Sequence, residues 1–163
     1  MAISEKMNAK LNEQITNEMY ASQVYLAMAC MFDDMGLKML SKLYRMQTEE
    51  ERGHALKILD FIPTVEGKVK LQPVPEPPAS YPSVLAAIEA ALEHERLVTR
   101  QFNDLVKLAD EEKDYATRSF LNWFVDEQVE EVDSQAQLVQ VAKMAGEHII
   151  QLEGYVGRLV HSK

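Results

Sequence analysis

Cysteine, glycine and proline are scarce in this sequence, and it contains no long hydrophobic run. Because Cys30 is the single cysteine, neither an intramolecular disulfide nor a zinc site of several thiolates can form within the chain. Six glycines and six prolines among 163 residues leave room for long helices in one domain. The longest apolar run, VYLAMACMF, is too short to span a bilayer, and the first residues lack the apolar core of a signal peptide. We therefore expect a cytoplasmic protein without a membrane partner.

Positively charged residues are also scarce relative to negatively charged ones. Seventeen lysines and arginines stand against 26 aspartates and glutamates, which gives a formal net charge of -9 at pH 7. Such a surface repels the phosphates of nucleic acids, so we expect no nucleic acid partner. The charge suits cations better, but many proteins are acidic for solubility alone. Composition therefore favours a cation-handling protein only weakly.

Helical periodicity and helix-end signals predict four long helices and a short fifth one. Ser4 and Asp114 are candidate N-caps, Gly36 follows a predicted helix end, and Gly146 breaks the fourth helix. Pro63 is expected to end the second helix. The predicted helices cover residues of about 4–34, 37–62, 83–109, 115–144 and 147–159.

A proline-rich segment separates the second and third predicted helices. The stretch TVEGKVKLQPVPEPPASYPS carries five of the six prolines and cannot continue either helix. A helix of this length is roughly 40 Å long, whereas about 20 extended residues reach roughly 60 Å. The segment can therefore return along the whole bundle and start the third helix beside the start of the second. The sequence predicts an all-α, four-helix bundle with one long crossover connection.

Polar side chains interrupt the apolar faces of all four long helices. Helical wheels at 3.6 residues per turn place these side chains towards the core, where a plain bundle would carry leucine. The inward-facing residues are Glu18, Glu51, His54, Glu95, Glu127, Gln128 and Glu131, with Glu50 and Glu130 nearer the edges of their stripes.

A core that collects four or more glutamates needs a compensating positive charge. Burying one ionised carboxylate costs several kcal/mol, and the nearby Arg45, Arg52 and Arg96 mostly lie off the inward stripes. Oxygen ligands with one imidazole suit Fe(II), Fe(III) or Mn(II) better than Zn(II). The i, i+3 spacing of Glu51 and His54 lets both reach the same ion.

Each of these features has an ordinary explanation when it is considered alone. A Glu-x-x-His spacing usually lies on a solvated helix surface, and Glu18 or Glu95 alone would more often be a surface residue. Tyr25 alone would be an ordinary core tyrosine. The combination of polar residues at matching depth on four helices favours a metal site.

Five segments carry a resemblance to a known family. They are LNEQITNEMYASQVYLAMA, EEERGHALKI, the proline-rich crossover, HERLVTRQFNDL and FLNWFVDEQVEEV. Together they are similar to the non-haem bacterial ferritins along essentially the whole chain. The resemblance implies a ferritin-like fold, a homo-oligomeric cage of twenty-four subunits closed by the fifth helices, and iron storage as a ferric oxide mineral.

The resemblance also implies a ferroxidase centre with two irons. Glu18, Glu51 and His54 would hold one iron, and Glu51 would bridge to a second iron held also by Glu95 and Glu131. Oxygen or peroxide would accept the electrons. No organic cofactor is expected, although the nine methionines leave haem ligation open.

Further residues receive roles from the same resemblance. Gln128 would sit beside the iron pair, and Tyr25 could supply an electron during oxygen reduction. Glu50, Glu127 and Glu130 would form the neighbouring third iron site of this bacterial group. The acidic residues after the third helix either line a pore that attracts Fe(II) or form a solvated turn; they are Asp110, Glu111, Glu112 and Asp114.

Two alternatives and one unusual residue remain. The chain could be a non-catalytic helical assembly protein in which glutamates pair with arginines, or a di-iron oxidase of an organic substrate, which usually needs a second histidine. A bacterioferritin would carry a second Glu-x-x-His where this chain has Gln128 and Glu131.

Gly53 inside the second helix either opens space near the irons or permits a close helix contact.

Overall fold

The computed structural model describes residues 2–163, and this part of the chain folds into helices without any strand. The helices are α1 (Glu5–Asp34), α2 (Lys38–Thr64), α3 (Val84–Glu112), α4 (Tyr115–Ala145) and α5 (Ile149–Ser162). The predicted all-α bundle with a short fifth helix is confirmed. None of the helices in residues 2–163 combines the length and the apolar character needed to cross a bilayer.

Side-chain caps set several helix ends as predicted. The Ser4 hydroxyl accepts a hydrogen bond from the Met7 amide at 2.9 Å, and the Asp114 carboxylate accepts one from the Thr117 amide at 3.0 Å. Gly36 follows α1 with a φ of +78°, a left-handed conformation that glycine adopts at little cost. Local sequence signals therefore fix the starts of α1 and α4 and the end of α1.

Two predicted boundaries and the position of the fifth helix are wrong. Pro63 lies inside the last turn of α2, because a missing N–H there removes only one helical hydrogen bond. The Val65 and Gly67 amides then donate to the Ile62 carbonyl and close the helix. Residues 110–112 continue α3 instead of forming a turn, and Lys113 ends it with a φ of +55°. The fifth helix begins and ends two to three residues later than expected.

The long link from residue 65 to residue 83 is fastened along α1. Asn12 donates to the Lys68 carbonyl at 2.9 Å and accepts from the Lys70 amide, while Asn8 accepts from the Lys68 amide at 2.8 Å. Near the other end of α1, the Tyr81 amide donates to the Met31 sulfur at 3.4 Å. The link therefore runs the length of α1, and α3 begins beside the start of α2, which is the predicted crossover.

A carboxylate from α5 caps the start of α2. Leu37, at the N-cap position of α2, makes no side-chain capping hydrogen bond. Glu153 instead accepts from the Met39 amide at 3.0 Å and from the Leu40 amide at 2.8 Å. These contacts satisfy backbone donors that the helix itself leaves unpaired and place α5 across the end of the bundle.

The apolar core consists of two clusters stacked along the bundle. One cluster lies towards α5 and includes Met28, Leu40 and Leu138; the other lies towards the opposite end and includes Leu11 and Phe102. The inward glutamates of α1, α2, α3 and α4 fall in sequence between the residues of the two clusters. A polar layer therefore divides the core at about the middle of all four long helices.

Replacing Gly67 by alanine should destabilise the fold. A Cβ atom at this position would lie 2.6 Å from the Asn8 Oδ1 atom and 2.7 Å from the Ile62 Cγ2 atom. We expect the free energy of unfolding to fall by about 1–3 kcal/mol, the usual cost of overpacking. In Gly53→Ala, where a Cβ would meet nothing within 4 Å, it should rise by up to about 1 kcal/mol. Denaturant titration measures both, and equal stability of the two variants would contradict this account.

Candidate metal centre

Four glutamates and one histidine meet in the polar layer. Glu18, Glu51 and Glu95 are fully buried, and Glu131 and His54 are 6% and 5% exposed. They come from all four long helices, so the crossover topology is what brings them together. The sequence predicts these side chains inside the bundle at matching depth, and the structure puts them in one layer.

The ligand atoms form two adjoining groups. One atom each from Glu18, Glu51 and His54 lies within 4.8 Å of the others, and the same holds for Glu51, Glu95 and Glu131. Glu51 belongs to both groups. Each group offers donors of the type that one hard divalent cation accepts, and the shared carboxylate can bridge two such ions.

Glutamine side chains hold the carboxylates in place. Gln14 donates to Glu18 at 2.9 Å, and Gln47 donates both to Glu51 at 2.9 Å and to Glu131 at 2.8 Å. Sequence reasoning assigned no role to either glutamine. The available signal is the i, i+4 spacing of glutamine and glutamate on α1 and on α2, which places the pair on one helix face.

Glu95 lies between two other donors. The Tyr25 hydroxyl donates to Glu95 Oε1, and Gln128 donates to Glu95 Oε2 at 3.1 Å. Two buried oxygens of this layer, Glu18 Oε2 and Gln128 Oε1, have no hydrogen-bond partner. Because unpaired buried acceptors are costly, both oxygens are suited to a cation that the protein itself does not supply.

Positive charge from the protein is limited to one imidazole. His54 Nδ1 lies 3.2 Å from Glu51 Oε2 and 3.7 Å from Glu18 Oε2. Within residues 2–163, no lysine or arginine nitrogen lies within 4.0 Å of the four buried carboxylates. Arg45 pairs with Asp33 and Arg96 with Glu93 at the surface, so the arginine pairing of the assembly alternative is not formed.

Protons compensate part of the negative charge when no cation is bound. Burial raises the pKa of Glu51 and of Glu95 to about 7, and burial together with the negative charge of Glu95 raises the pKa of Glu131 to about 9. Burial acts to lower the pKa of His54, but the adjacent carboxylates of Glu18 and Glu51 outweigh it and raise this pKa to about 11. A metal ion would displace these protons.

Of the three residues expected at a third iron site, one belongs to a group of neighbouring ligand atoms. Glu127 converges with His54 and Glu131, with one ligand atom from each lying within 4.8 Å of the others. Glu50 and Glu130 are not members of any such group within residues 2–163. Their participation stays a prediction.

The structure also shows the surroundings of Gly53 and of the acidic residues at the end of α3. A Cβ built on Gly53 would meet nothing within 4 Å, so the close helix contact considered above does not explain this glycine. The first three acidic residues lie in the last turn of α3, and the Asp114 side chain caps α4. Nothing in the fold of one chain assigns them to a pore.

Comparison with known proteins identifies the class to which this fold and site belong. A family model described as a ferritin-like domain matches residues 8–155. The chain therefore belongs to the ferritin family of iron-storage proteins. The resemblance on which the expectations above were based is confirmed.

Individual relatives agree with this assignment. The "Bacterial non-heme ferritin" of Staphylococcus saprophyticus is 41% identical over 129 residues, which cover 79% of this chain and 77% of the relative. "Ferritin BfrB" of Mycobacterium tuberculosis is 37% identical over 155 residues, covering 95% and 86% of the two chains. A solved "open pore ferritin" of the archaeon Archaeoglobus fulgidus is 45% identical, covers 98% of both chains and superposes with a TM-score of 0.95.

The metal-free protein should lose stability as the pH rises. Because the pKa values of Glu51, Glu95, Glu131 and His54 lie above their ordinary values, the folded chain binds more protons than the unfolded chain from about pH 4.5 to above pH 9. The free energy of unfolding therefore falls with pH in this window. One pKa unit corresponds to about 1.4 kcal/mol, so we expect a loss of several kcal/mol between about pH 5.5 and pH 8.5.

Denaturant titration in the presence of a chelator measures this loss. Glu131→Gln removes one titrating group and should flatten the dependence, whereas Glu49→Gln, at an exposed position of the same bundle, should leave it unchanged. A metal-free protein whose stability is constant or increases over this range would contradict the buried carboxylate cluster.

Proposed function

We propose that the chain stores iron by oxidising it at the buried carboxylate cluster. Two Fe(II) ions, as substrates, occupy the two groups that share Glu51. Each ion gives up one electron, and the pair reduces dioxygen to peroxide or peroxide to water. The Fe(III) product then hydrolyses and is deposited as ferric oxide mineral. The observation that carries this proposal is the membership of Glu51 in both ligand groups.

Charge balance supports a pair of divalent ions. Four ionised glutamates carry four negative charges, which two Fe(II) ions neutralise while His54 stays neutral as a ligand. Oxidation adds two positive charges, and these favour hydroxide or oxide as a bridge between the ions. Carboxylate oxygens are hard ligands and stabilise Fe(III) relative to Fe(II). The cluster therefore promotes oxidation by its composition as well as by holding two ions together.

Tyr25 is placed to support the electron transfer. Burial and the nearby charge of Glu95 raise the pKa of Tyr25 well above its ordinary value, so the phenol is protonated at neutral pH. Its hydroxyl donates to Glu95. When the tyrosine supplies an electron to an oxidant at the iron pair, the phenolic proton can pass to this carboxylate.

Self-assembly into a cage of twenty-four subunits completes the proposal. Large apolar side chains lie exposed on a single chain: Ile150 is 82% exposed, Met144 78% and Tyr115 75%. Exposed apolar surface of this kind is typical of interfaces between subunits. The structural relatives are ferritins, one of them described as an open pore ferritin, which supports assembly around a mineral. A cytoplasmic location stays a prediction.

Glu51→Gln tests the proposal, because it removes the bridging charge with little change in shape. Anaerobic titration with Fe(II), followed by oxygen, should show an initial oxidation rate lowered on the order of 100-fold. The exposed neighbour Glu49→Gln should react like the unchanged protein. The metal-free Glu51→Gln variant should also be at least as stable as the unchanged protein, which separates lost chemistry from lost folding.

The same titration with the unchanged protein decides between the alternatives. Light scattering gives the particle mass, and the absorbance of the ferric product gives the iron oxidised per chain. Oxidation of no more than a few irons per chain would exclude storage, and absence of Fe(II) binding would favour the assembly protein.

A further inference from the structure

A largely apolar groove of about 540 Å³ lies between α3 and α4. Five apolar side chains line it, and its two exposed polar residues, Asn103 and Asp133, carry only one charge. Within residues 2–163, no lysine, arginine or histidine lines this groove. Such walls favour a small neutral molecule over a hydrated ion. The apolar residues are Phe102 on α3 and Val125, Val129, Val132 and Ala136 on α4.

The floor of the groove adjoins the buried cluster. Gln128 lines the groove although only 2% of its surface is exposed. Its Nε2 atom donates to Glu95 Oε2 at 3.1 Å and to Thr99 Oγ1 at 3.2 Å, and Thr99 lines the groove as well. A molecule in contact with Gln128 is therefore one side chain away from Glu95, which belongs to the second ligand group.

The Gln128 amide is held at one end only. Its buried Oε1 atom has no hydrogen-bond partner, whereas Nε2 makes all the contacts of the side chain with Glu95 and Thr99. Turning the amide therefore breaks no bond at Oε1. A cation bound beside Glu95 would attract Oε1 and repel the Nε2 hydrogens, so loading of the cluster favours this turn. Gln128 can thus act as a movable floor.

The groove between α1 and α3 has the opposite character. Its volume is about 310 Å³, and three lysines and three acidic residues line it. Gln14 lines it too, but this amide is held at both ends, because Nε2 donates to Glu18 at 2.9 Å and Oε1 accepts from Asn17 at 3.1 Å. Apolar walls and a loosely held floor therefore distinguish the groove between α3 and α4.

We propose that the groove between α3 and α4 admits dioxygen to the iron pair and that Gln128 is the floor through which it passes. Dioxygen is small, uncharged and apolar, so apolar walls concentrate it from water. This inference rests on the proposed function, because it takes dioxygen as the oxidant of the iron pair. The competing occupant is a second copy of the chain, since Val129 at the groove is 68% exposed.

The paramagnetism of dioxygen lets its presence in the groove be measured without any metal. In the metal-free assembled protein with labelled valine methyl groups, dioxygen under pressure should enhance the relaxation of Val125 and Val132 several-fold more than that of Val141. Val141 is also half-buried on α4 but does not line the groove. Equal enhancement would overturn the proposal, and so would shielding of the groove methyl groups by a neighbouring subunit.

Val132→Phe tests passage to the iron pair by filling the groove. Fe(II) is bound anaerobically and then mixed with dioxygen, and the initial oxidation rate should fall several-fold. Val141→Phe, the same substitution outside the groove, should react like the unchanged protein. Hydrogen peroxide is polar and does not depend on apolar walls, so its rate should be unchanged in Val132→Phe. An unchanged dioxygen rate, or equal slowing with both oxidants, would overturn the route.

Two further measurements keep the outcome unambiguous. Val125→Phe fills the groove on the other side of Gln128 along α4 and repeats the test if Val132→Phe does not fold. If the unchanged protein does not oxidise Fe(II), the proposed function fails, while the valine relaxation still decides whether dioxygen occupies the groove. If the protein oxidises Fe(II) and both filled variants react with dioxygen at the full rate, the route through the groove fails alone.

Discussion

Mutual repulsion among four buried carboxylates is the constraint around which the rest of this structure is arranged. Besides burial, the charge of Glu18 raises the pKa of Glu51, the charge of Glu51 raises that of Glu95, and both Glu95 and Glu51 raise that of Glu131. Glutamines, a tyrosine and one histidine satisfy part of the hydrogen-bonding capacity of the polar layer, yet two acceptor oxygens remain unpaired. The two apolar clusters on either side supply the stabilisation that lets the chain fold with such a layer inside it.

The crossover connection determines which carboxylates can meet. In a simple up-and-down bundle, α3 would run in the opposite direction relative to α2. The depth of Glu95 along the bundle would then be set by a different register between these two helices. With α3 starting beside α2, Glu51 and Glu95 each lie near the middle of their helices and reach the same layer. The hydrogen bonds that Asn8 accepts from the link and that Asn12 donates to it hold this arrangement from the side of α1.

Much of the fold and of the metal centre could be predicted from the sequence because helical periodicity is a strong signal over long segments. This periodicity is sufficient to place Glu18, Glu51, His54 and Glu95 inside the bundle. It could not reveal that Gln47 joins Glu51 to Glu131, since that contact depends on the relative register of α2 and α4. Glu127 likewise brings a carboxylate oxygen within 4.8 Å of a His54 ring nitrogen through the reach of a long side chain, which a helical wheel does not describe. The prediction that Pro63 ends the second helix is wrong because a proline costs less free energy in the last turn of a helix, where few backbone hydrogen bonds remain.

The cap that Glu153 provides links the last helix of the chain to the helix that carries Glu51 and His54. A polypeptide shortened after α4 would lose more than a peripheral segment, because the first amides of α2 would be left without acceptors. Fraying would begin at Met39 and Leu40, and Leu40 belongs to the apolar cluster on which the polar layer rests. The C-terminal residues thus contribute to the rigidity of a site that none of them touches.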